Sequence, residues 1–212
     1  MPQPTLISDP QVRRVPVRDT GEPLVELTWI DGPACPTARH VRAGLADRLL
    51  AAQRSLPGGL RLALSEGYRP VAAQHAIIAH YGASLRAHHP HLDPEQVAAL
   101  SSRYVAPLDV APHVAGAAVD VTLVDSRGHE LDMGCPLDAT PEESGGACYF
   151  DAPGISRQAR AHRDLLAAAL GQVGLVNYPT EWWHWSYGDR YWALATGARY
   201  ALYGPAGLAT AA

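Results

Sequence analysis

The sequence predicts an α+β fold with a small central antiparallel sheet and flanking helices. Helical and strand patterns follow one another unevenly along the 212 residues, which argues against a serially wound β-α-β sheet. A composition of 47% hydrophobic residues is sufficient to bury a core, and we expect a single domain over residues 1–212. No apolar run reaches the roughly 18 residues that a membrane helix needs, so no membrane partner is expected.

The first half of the chain carries patterns for helices on both sides of one strand. Thr37 can cap a helix whose apolar residues recur at helical spacing, and Pro70 suits the first turn of another. Residues 60–65 alternate with the period of a strand. We expect, in order, an extended stretch near residues 24–30, a helix from Thr37 to about Ser55, a strand over residues 60–65, a helix begun at Pro70 and a short helix after Asp93-Pro94.

The second half combines a buried strand, a long irregular connection and aromatic segments. Residues 117–124 are rich in valine and predict a strand. Residues 128–154 show little periodicity, and loops of this length are usually functional or disordered. Ser156 can cap a helix that runs to about Val173. We expect residues 182–187 and 191–194 to form the strands of a hairpin that turns at Gly188-Asp189.

The composition excludes several classes of function. All 17 basic residues are arginine, and the absence of lysine excludes a Walker-type phosphate loop, a pyridoxal Schiff base and a Ser–Lys catalytic pair. The net charge of −4, without a long basic run, predicts no nucleic-acid partner. Residues 1–10 lack the pattern of a secretory signal, which favours a cytoplasmic location. The cysteines lack C-x-x-C spacing and are expected to be reduced, although a Cys135–Cys148 bridge stays open.

A histidine and an aspartate flank a glycine where the chain enters the strand over residues 117–124. His113 follows Pro112 in a loop, and Asp120 is the only charged residue in a segment that suits a buried strand. Their odd separation would put them on opposite faces of a regular strand, so they converge only if Gly116 bends the chain. A buried carboxylate is costly unless it is paired or bound to a metal. The alternative is a salt-bridged core aspartate beside an unrelated surface histidine.

A second pair, Glu181 and His184, lies among tryptophans. Such apolar walls lower the local dielectric and exclude bulk water. The spacing puts both groups on one side if the chain turns near Pro179. By itself the pair also fits an aromatic core strand with a hydrogen-bonded histidine. Together, His113, Asp120 and His184 supply the two imidazoles and one carboxylate of an open zinc site. Glu181 is then left as the base for its water.

Arg69 lies at the end of a predicted strand. The following Pro70 pushes its backbone towards the extended region. A guanidinium there can donate to the oxygen of a tetrahedral intermediate and complement a Lewis-acidic metal. The alternative is an ordinary surface arginine at a strand end.

These motifs together resemble a known family. The H-x-x-G-x-A-x-D run that begins at His113, the E-W-W-H run that begins at Glu181 and the E-G-Y-R-P run around Arg69 are similar to those of the zinc D-alanyl-D-alanine dipeptidases of the vancomycin-resistance type. The similarity extends to Asp9-Pro10 and to residues 177–180 and 186–192, so it covers nearly the whole chain. The resemblance implies the α+β zinc D,D-peptidase (hedgehog-like) fold and one Zn²⁺ per chain.

The resemblance also implies roles for individual residues. It makes His113, Asp120 and His184 the zinc ligands, Glu181 the general base and Arg69 the group that stabilises the oxyanion. Asp138 lies in an M-G-C-P-L-D segment that resembles the family's M-G-x-x-F-D, whose aspartate holds the ammonium group of the substrate.

The chain departs from the family pattern at a few positions. In the segment before Asp138, Leu137 replaces Phe and Cys135 replaces a common Thr, so that match is weaker. Ala111 stands where the family usually has Ser, two residues before the first ligand. Losing one hydrogen bond costs on the order of 1 kcal/mol. We therefore expect an effect on substrate preference or efficiency rather than on metal binding.

The resulting hypothesis is zinc-dependent hydrolysis of a small D,D-dipeptide such as D-alanyl-D-alanine, with Asp138 measuring chain length by binding a free ammonium group. A D,D-carboxypeptidase or peptidoglycan endopeptidase with the same metal site and a more open cleft is one alternative. A non-catalytic peptide-binding relative is another, although the intact Glu181 argues against it. A homo-oligomer is compatible with the sequence.

Overall fold

The computed structural model describes residues 4–102 and 104–208. The helices are α1 Pro10–Arg14, α2 Ala43–Ser55, α3 Val71–His88, α4 Pro94–Ser101, α5 Pro141–Ser144, α6 Arg157–Gly171 and α7 Arg190–Thr196. The strands are β1 Leu24–Glu26, β2 His40–Arg42, β3 Arg61–Glu66, β4 Ala118–Val124, β5 Val176–Asn177 and β6 His184–Ser186. Short 3-10 turns cover Thr37–Arg39 and His113–Ala115. The α+β class predicted from the sequence is confirmed. None of the helices in the described residues combines the length and the hydrophobicity needed to cross a bilayer.

The main sheet has four antiparallel strands in the order β3-β4-β6-β5. Strand β4 lies inside the sheet, and all of its residues are buried, as its valine-rich sequence predicts. Strands β1 and β2 form a separate antiparallel ribbon. The site described below lies across the middle of the larger sheet.

The two faces of β4 serve different purposes because successive side chains alternate between them. One face carries Val119, Val121 and Leu123 into a hydrophobic core shared with α2 and α6. Fully burying a leucine or valine contributes about 1.5–3 kcal/mol, so this side anchors the sheet. The other face carries Asp120. Core residues from the two helices are Leu45, Leu49, Ala52, Leu166, Ala169 and Leu170.

The prediction of a hairpin that turns at Gly188-Asp189 is wrong. Residues from Arg190 onward form helix α7 rather than a strand, because the Asp189 side chain accepts hydrogen bonds from the backbone N–H groups of Tyr191 and Trp192. That N-cap satisfies helix-end donors and overrides the strand preference of the aromatic residues. Strand β6 pairs instead with β4 and β5, both of which precede it in the chain.

The start of the first long helix also differs from its prediction. Thr37 begins the 3-10 turn Thr37–Arg39, and strand β2 separates that turn from α2, which begins at Ala43. The helix still ends at Ser55, as predicted. The helix after Ser156 is capped by that serine, whose hydroxyl accepts from the N–H of Ala159. Cys35, Cys135 and Cys148 are free thiols.

The segments at both ends of the described chain are fastened by one arginine. Arg42, 5% exposed, donates to the Asp19 carboxylate at 2.9 Å and to the carbonyl oxygen of Gly204, also at 2.9 Å. Its Nε donates to the carbonyl oxygen of Ala115 at 2.9 Å, at the end of the 3-10 turn that begins with His113. Arg42 therefore holds the segments around Asp19 and Gly204 against the 3-10 turn that begins with His113.

Candidate metal centre and active site

A line of polar side chains crosses the main sheet. Asp120 in β4 lies opposite His184 in β6 and, on its other side, opposite Glu66 in β3. The register of β3 shifts between Leu64 and Glu66 to reach this pairing. Neighbouring strands lie about 4.8 Å apart, so the sheet alone brings the Asp120 carboxylate within reach of the His184 imidazole.

Gly116 turns the chain so that His113 reaches the same point. The 3-10 turn that begins at His113 ends at Gly116, whose φ of +63° lies in the left-handed region that glycine adopts without penalty. A Cβ at this position would collide with the side chain of Leu24. The bend that the spacing of His113 and Asp120 required is therefore confirmed.

Potential ligand atoms of three side chains converge at this point. His184 Nδ1 lies 3.0 Å from Asp120 Oδ1 and 3.1 Å from His113 Nε2. His113 Nε2 lies 3.3 Å from Asp120 Oδ2. All three residues are buried. Within residues 4–102 and 104–208, no other set of His, Cys, Asp or Glu side chains has the geometry to hold a metal ion.

The geometry of this group suits a tetrahedral zinc ion. Metal–ligand bonds of about 2.0–2.2 Å in a tetrahedral site separate the ligand atoms by roughly 3.3–3.5 Å, close to the distances found. His113 Nδ1 lies 2.7 Å from the carbonyl oxygen of Gly67, which assigns the proton to Nδ1 and leaves the lone pair of Nε2 facing the centre. Two imidazoles and one carboxylate form the donor set of an open zinc site.

Burial and neighbouring groups shift the pKa values of Asp120 and His113. Burial alone would raise the pKa of Asp120, but the charges and hydrogen bonds of His113 and His184 outweigh burial and hold that pKa far below its usual range. Burial lowers the pKa of His113, and the Asp120 carboxylate more than compensates, so the pKa of His113 is raised. Asp120 therefore stays ionised near neutral pH, as a metal ligand must.

Glu181 lies beside this group, in the turn between β5 and β6. Its Oε2 is 3.8 Å from His184 Nδ1, and 21% of its side chain is exposed. Burial raises the pKa of Glu181 to about 7, and the carboxylates of Asp120 and Asp138 add to the shift. His184 and Arg69 oppose it. A general base works best when its pKa lies near the reaction pH, and Glu181 meets that condition.

The turn that carries Glu181 is held from within. The side-chain amide of Asn177 donates to the carbonyl oxygens of Glu181 and His184, both at 3.0 Å. Trp182 and Trp183 are buried in the core beside it, at 1% and 4% exposure. The turn near Pro179 that the sequence required is therefore present, and tryptophans shield it from bulk water.

Arg69 is fixed by two neighbours that the sequence interpretation missed. Its Nε donates to Glu66 Oε1 at 2.7 Å, and its Nη2 donates to the other oxygen of that carboxylate. Its Nη1 donates at 2.7 Å to Gln74, which has no exposed surface and whose amide donates to the carbonyl oxygen of Ala106. Within the described residues, these bonds use three of the five guanidinium N–H groups.

The two missed residues differ in how visible they were. Glu66 belongs to the same E-G-Y-R-P run as Arg69 and could have been found as its ion-pair partner three residues away. Gln74 carries no comparable signal, because it is one of several polar residues in an alanine-rich helix. Its importance follows only from its complete burial against Arg69.

Asp138 lies in the irregular connection between β4 and α6. Its φ of +63° is unusual for a residue other than glycine. Although the residue is exposed as a whole, its surroundings desolvate the carboxylate and raise its pKa to about 6, and the charges of Asp120 and Glu66 add to the shift. The carboxylate lines the same cleft as His113, Asp120 and His184, which together we call the metal-type group.

One cleft of about 260 Å³ joins these side chains. All the residues predicted for the site line it, namely Arg69, His113, Asp120, Asp138, Glu181 and His184. Ala111 lines it as well, at the position where the resemblance predicts serine. Much of the remaining wall is apolar, with Ile77 and Tyr81 contributed by α3. Apolar walls with a few convergent charged groups suit a small polar ligand such as a short peptide.

Comparisons with known proteins point in the same direction. Residues 38–200 match the family described as D-ala-D-ala dipeptidase, Peptidase_M15. A D-alanyl-D-alanine dipeptidase of Synechocystis sp. is 29% identical over 216 residues, which covers 84% of this chain and 87% of that protein. A D-alanyl-D-alanine dipeptidase of Escherichia coli (strain K12) is 32% identical over 151 residues, 71% of this chain and 65% of that protein.

A solved structure resembles the chain more distantly. It is a mutant of the vancomycin resistance D,D-pentapeptidase VanY in complex with Zn(II). The sequence identity is 17% and the TM-score is 0.46, with 88% of this chain and 90% of that chain covered.

Proposed function

The chain belongs to the D-Ala-D-Ala dipeptidase family and is a metallopeptidase, and from this premise we propose that it hydrolyses D-alanyl-D-alanine, or a closely related D,D-dipeptide, to free D-amino acids. One observation supports this most directly. A single cleft is lined by a metal-type group, a carboxylate with a pKa of about 7, an arginine and a second carboxylate. Those are the parts that metal-assisted hydrolysis of a short peptide with a free ammonium group requires.

The proposed cofactor is one zinc ion per chain, held by His113, Asp120 and His184. Their donor atoms lie 3.0–3.3 Å apart and present two imidazole nitrogens and one carboxylate. The carbonyl oxygen of Gly67 holds His113 in the tautomer that a ligand needs. Bound zinc would lower the pKa of a water molecule and polarise the scissile carbonyl group.

Glu181 is the proposed general base. Its pKa of about 7 allows it to accept a proton from the attacking water near neutral pH. As the peptide C–N bond breaks, the protonated Glu181 passes that proton to the leaving amine, so the carboxylate is regenerated. The buried tryptophans beside it limit access of other water molecules.

Arg69 is proposed to stabilise the negative charge that develops on the carbonyl oxygen. Glu66 and Gln74 hold its guanidinium from two sides and fix its direction before the substrate arrives. Donors that are already oriented need no rearrangement during the reaction, and this makes them effective. Burial alone would lower the pKa of Arg69, but Glu66 raises it, so the group stays charged.

Asp138 is proposed to bind the free ammonium group of the substrate. Its carboxylate is partly desolvated and lines the same cleft as the metal-type group, so a cation of the right reach would stabilise it. A dipeptide can present its ammonium group to Asp138 while its peptide bond lies beside Glu181. An N-acylated peptide lacks that cation, and in a longer peptide the cation lies too far from the C-terminal D-Ala-D-Ala bond.

Zinc analysis and a matched set of substrates would test the proposal. We expect one zinc per chain, release of D-alanine from D-Ala-D-Ala, loss of activity on chelation and recovery when zinc is added. N-acetyl-D-Ala-D-Ala and a pentapeptide that ends in D-Ala-D-Ala should be poor substrates. Absence of zinc or of D-alanine release would refute the proposal, whereas comparable turnover of the pentapeptide would favour a D,D-carboxypeptidase.

A further inference from the structure

Arg163 is a buried arginine that the proposed reaction does not use. It lies on the inner face of α6 with 0% exposure, and in the described part of the chain it forms no ion pair with a carboxylate. Arg42, the other deeply buried arginine considered above, is paired with Asp19. A buried charge without a counter-ion is costly, so its other contacts must compensate.

The contacts of Arg163 are carbonyl oxygens of one irregular segment. Its Nε donates to Met133 at 2.7 Å, its Nη1 donates to Tyr149 at 2.6 Å, and its Nη2 donates to Ala147 at 2.6 Å. The Nη1 group also reaches the carbonyl oxygen of Phe150 at 3.1 Å. Only a planar guanidinium offers this many donors in fixed directions, and the carbonyl dipoles balance its charge.

These bonds close a loop around Asp138. We call residues 133–150 the anchor loop, since Asp138 lies between Met133 at its start and Ala147 near its end. Inside the anchor loop, the capping box of α5 joins Thr140 to Glu143 and stiffens the middle. Asp138 and Thr140 both line the cleft. Arg163 thus holds the two ends of a segment whose middle faces the substrate.

The same arginine connects the anchor loop to the turn that carries Glu181. Trp182 directly follows Glu181 in the chain, and the guanidinium carbon of Arg163 lies 5.6 Å from the centre of its ring. The backbone N–H of Trp182 donates to the carbonyl oxygen of Cys148 at 3.0 Å. The backbone N–H of Phe150 donates to the carbonyl oxygen of Pro179, also at 3.0 Å. The anchor loop and the turn are therefore bonded to each other next to Arg163.

We propose that Arg163 is a positioning residue that sets the distance between the amine anchor Asp138 and the hydrolytic site around Glu181. This rests on the proposed function and deepens it, because that distance selects the peptide bond next to a free ammonium group over the C-terminal bond of an N-acylated or longer peptide. The substrate must satisfy both ends at once, so a displacement of Asp138 by about 1 Å can cost up to about 100-fold in rate. Arg163 is not among the residues that line the cleft, so it acts through the anchor loop and the turn that carries Glu181.

The test compares Arg163→Lys and Arg163→Met with wild type. Zinc content is measured for each protein, kcat and KM are measured for D-Ala-D-Ala, and kcat/KM is measured for N-acetyl-D-Ala-D-Ala. We expect the KM for D-Ala-D-Ala to rise about tenfold in both variants, with zinc retained and a smaller change in kcat. The preference for D-Ala-D-Ala over its N-acetyl derivative should fall by a similar factor. Arg163→Lys keeps the buried charge but has fewer donors, so it decides the question if Arg163→Met does not fold.

Two further variants separate positioning from general stability. Leu166→Ala removes a fully buried side chain from the same face of α6, without a bond to the anchor loop, and should lower stability while leaving KM and the preference unchanged. Gly134→Ala leaves Arg163 intact but disturbs the start of the anchor loop. Gly134 has a φ of +92°, and a Cβ added at this position would lie 2.6 Å from the side chain of Ile155. It should reproduce the change in KM and in preference.

The outcomes are distinguishable from failure of the proposed function. If wild type binds no zinc or releases no D-alanine from D-Ala-D-Ala, the proposed function fails. If wild type does both, and the Arg163 variants differ from wild type no more than Leu166→Ala does in KM and in the preference for D-Ala-D-Ala over its N-acetyl derivative, the positioning role is overturned.

Discussion

The two sides of the cleft are built from different kinds of structure. The metal-type group lies on β4, β6 and a 3-10 turn, and the antiparallel register places Asp120 opposite His184. Asp138 lies in a connection whose only helix, α5, spans Pro141–Ser144, and its ends are held by side-chain bonds from α6. The metal-type group is held by the sheet and its core, whereas the position of Asp138 depends on a few polar contacts. The chemical step and the choice of substrate should therefore respond to different substitutions.

The largest effect is expected at Glu181. Glu181→Gln keeps the shape of the side chain but cannot accept a proton, so kcat for D-Ala-D-Ala should fall by about 10²–10⁴-fold. Zinc content and KM should stay close to wild type, because neither the metal-type group nor Asp138 is changed. Steady-state kinetics beside metal analysis checks this, with Glu142→Gln as the control for an exposed glutamate on α5.

Stability measurements would exclude unfolding as the cause. The pKa of Glu181 is raised to about 7 in the fold, so its ionised form destabilises the metal-free protein. This destabilisation develops as the pH rises from the ordinary glutamate pKa to about 7 and is complete above it. Glu181→Gln removes it, and chemical denaturation above pH 7 should find the metal-free variant at least as stable as wild type. Retained turnover in this variant would contradict the assignment of the base.

A smaller effect, on the other side of the cleft, is expected at Asp138. Asp138→Asn removes the charge that pairs with the substrate ammonium group, and kcat/KM for D-Ala-D-Ala should fall about 10- to 100-fold, mainly through KM. Zinc content should not change. Asp151→Asn, an exposed aspartate in the same connection, is the matched control. Equal losses for D-Ala-D-Ala and its N-acetyl derivative would show that Asp138 does not bind the ammonium group.

The pH dependence of KM sharpens this prediction. The pKa of Asp138 is raised to about 6, so the carboxylate is ionised above that pH and neutral below it. A neutral acid cannot pair with an ammonium group, and KM for D-Ala-D-Ala should rise as the pH falls through about 6. A bound dication favours the ionised carboxylate, so it moves this rise in KM to a lower pH. In Asp138→Asn this pH dependence of KM should be absent, and its persistence there would assign it to another group.

The same contrast explains which parts of the molecule could be predicted from the sequence. Asp120 was found because a charged residue in an apolar strand has few explanations, and Gly116 because only a bend lets His113 join it. The strand partner of β6 was misassigned because the aromatic residues on both sides suit strands equally well. Only the Asp189 cap distinguishes helix α7. The role inferred for Arg163 left no sequence signal, since it depends on where the carbonyl oxygens of a distant loop fall.

The smallest effect is expected at Ala111, where the rigid side of the cleft meets the substrate. Ala111 lies two residues before His113, is 5% exposed and lines the cleft. Ala111→Ser supplies the hydroxyl that the resemblance leads one to expect, and a single hydrogen bond to substrate, worth about 1 kcal/mol, would raise kcat/KM for D-Ala-D-Ala roughly fivefold. The same hydroxyl costs stability wherever it lacks a partner in the free enzyme, so the midpoint of unfolding should fall slightly. Ala106→Ser makes the same chemical change elsewhere in the cleft wall and should give no gain. Kinetics of both variants would decide the point, because an equal response would mean that the identity of residue 111 does not govern how this cleft receives its substrate.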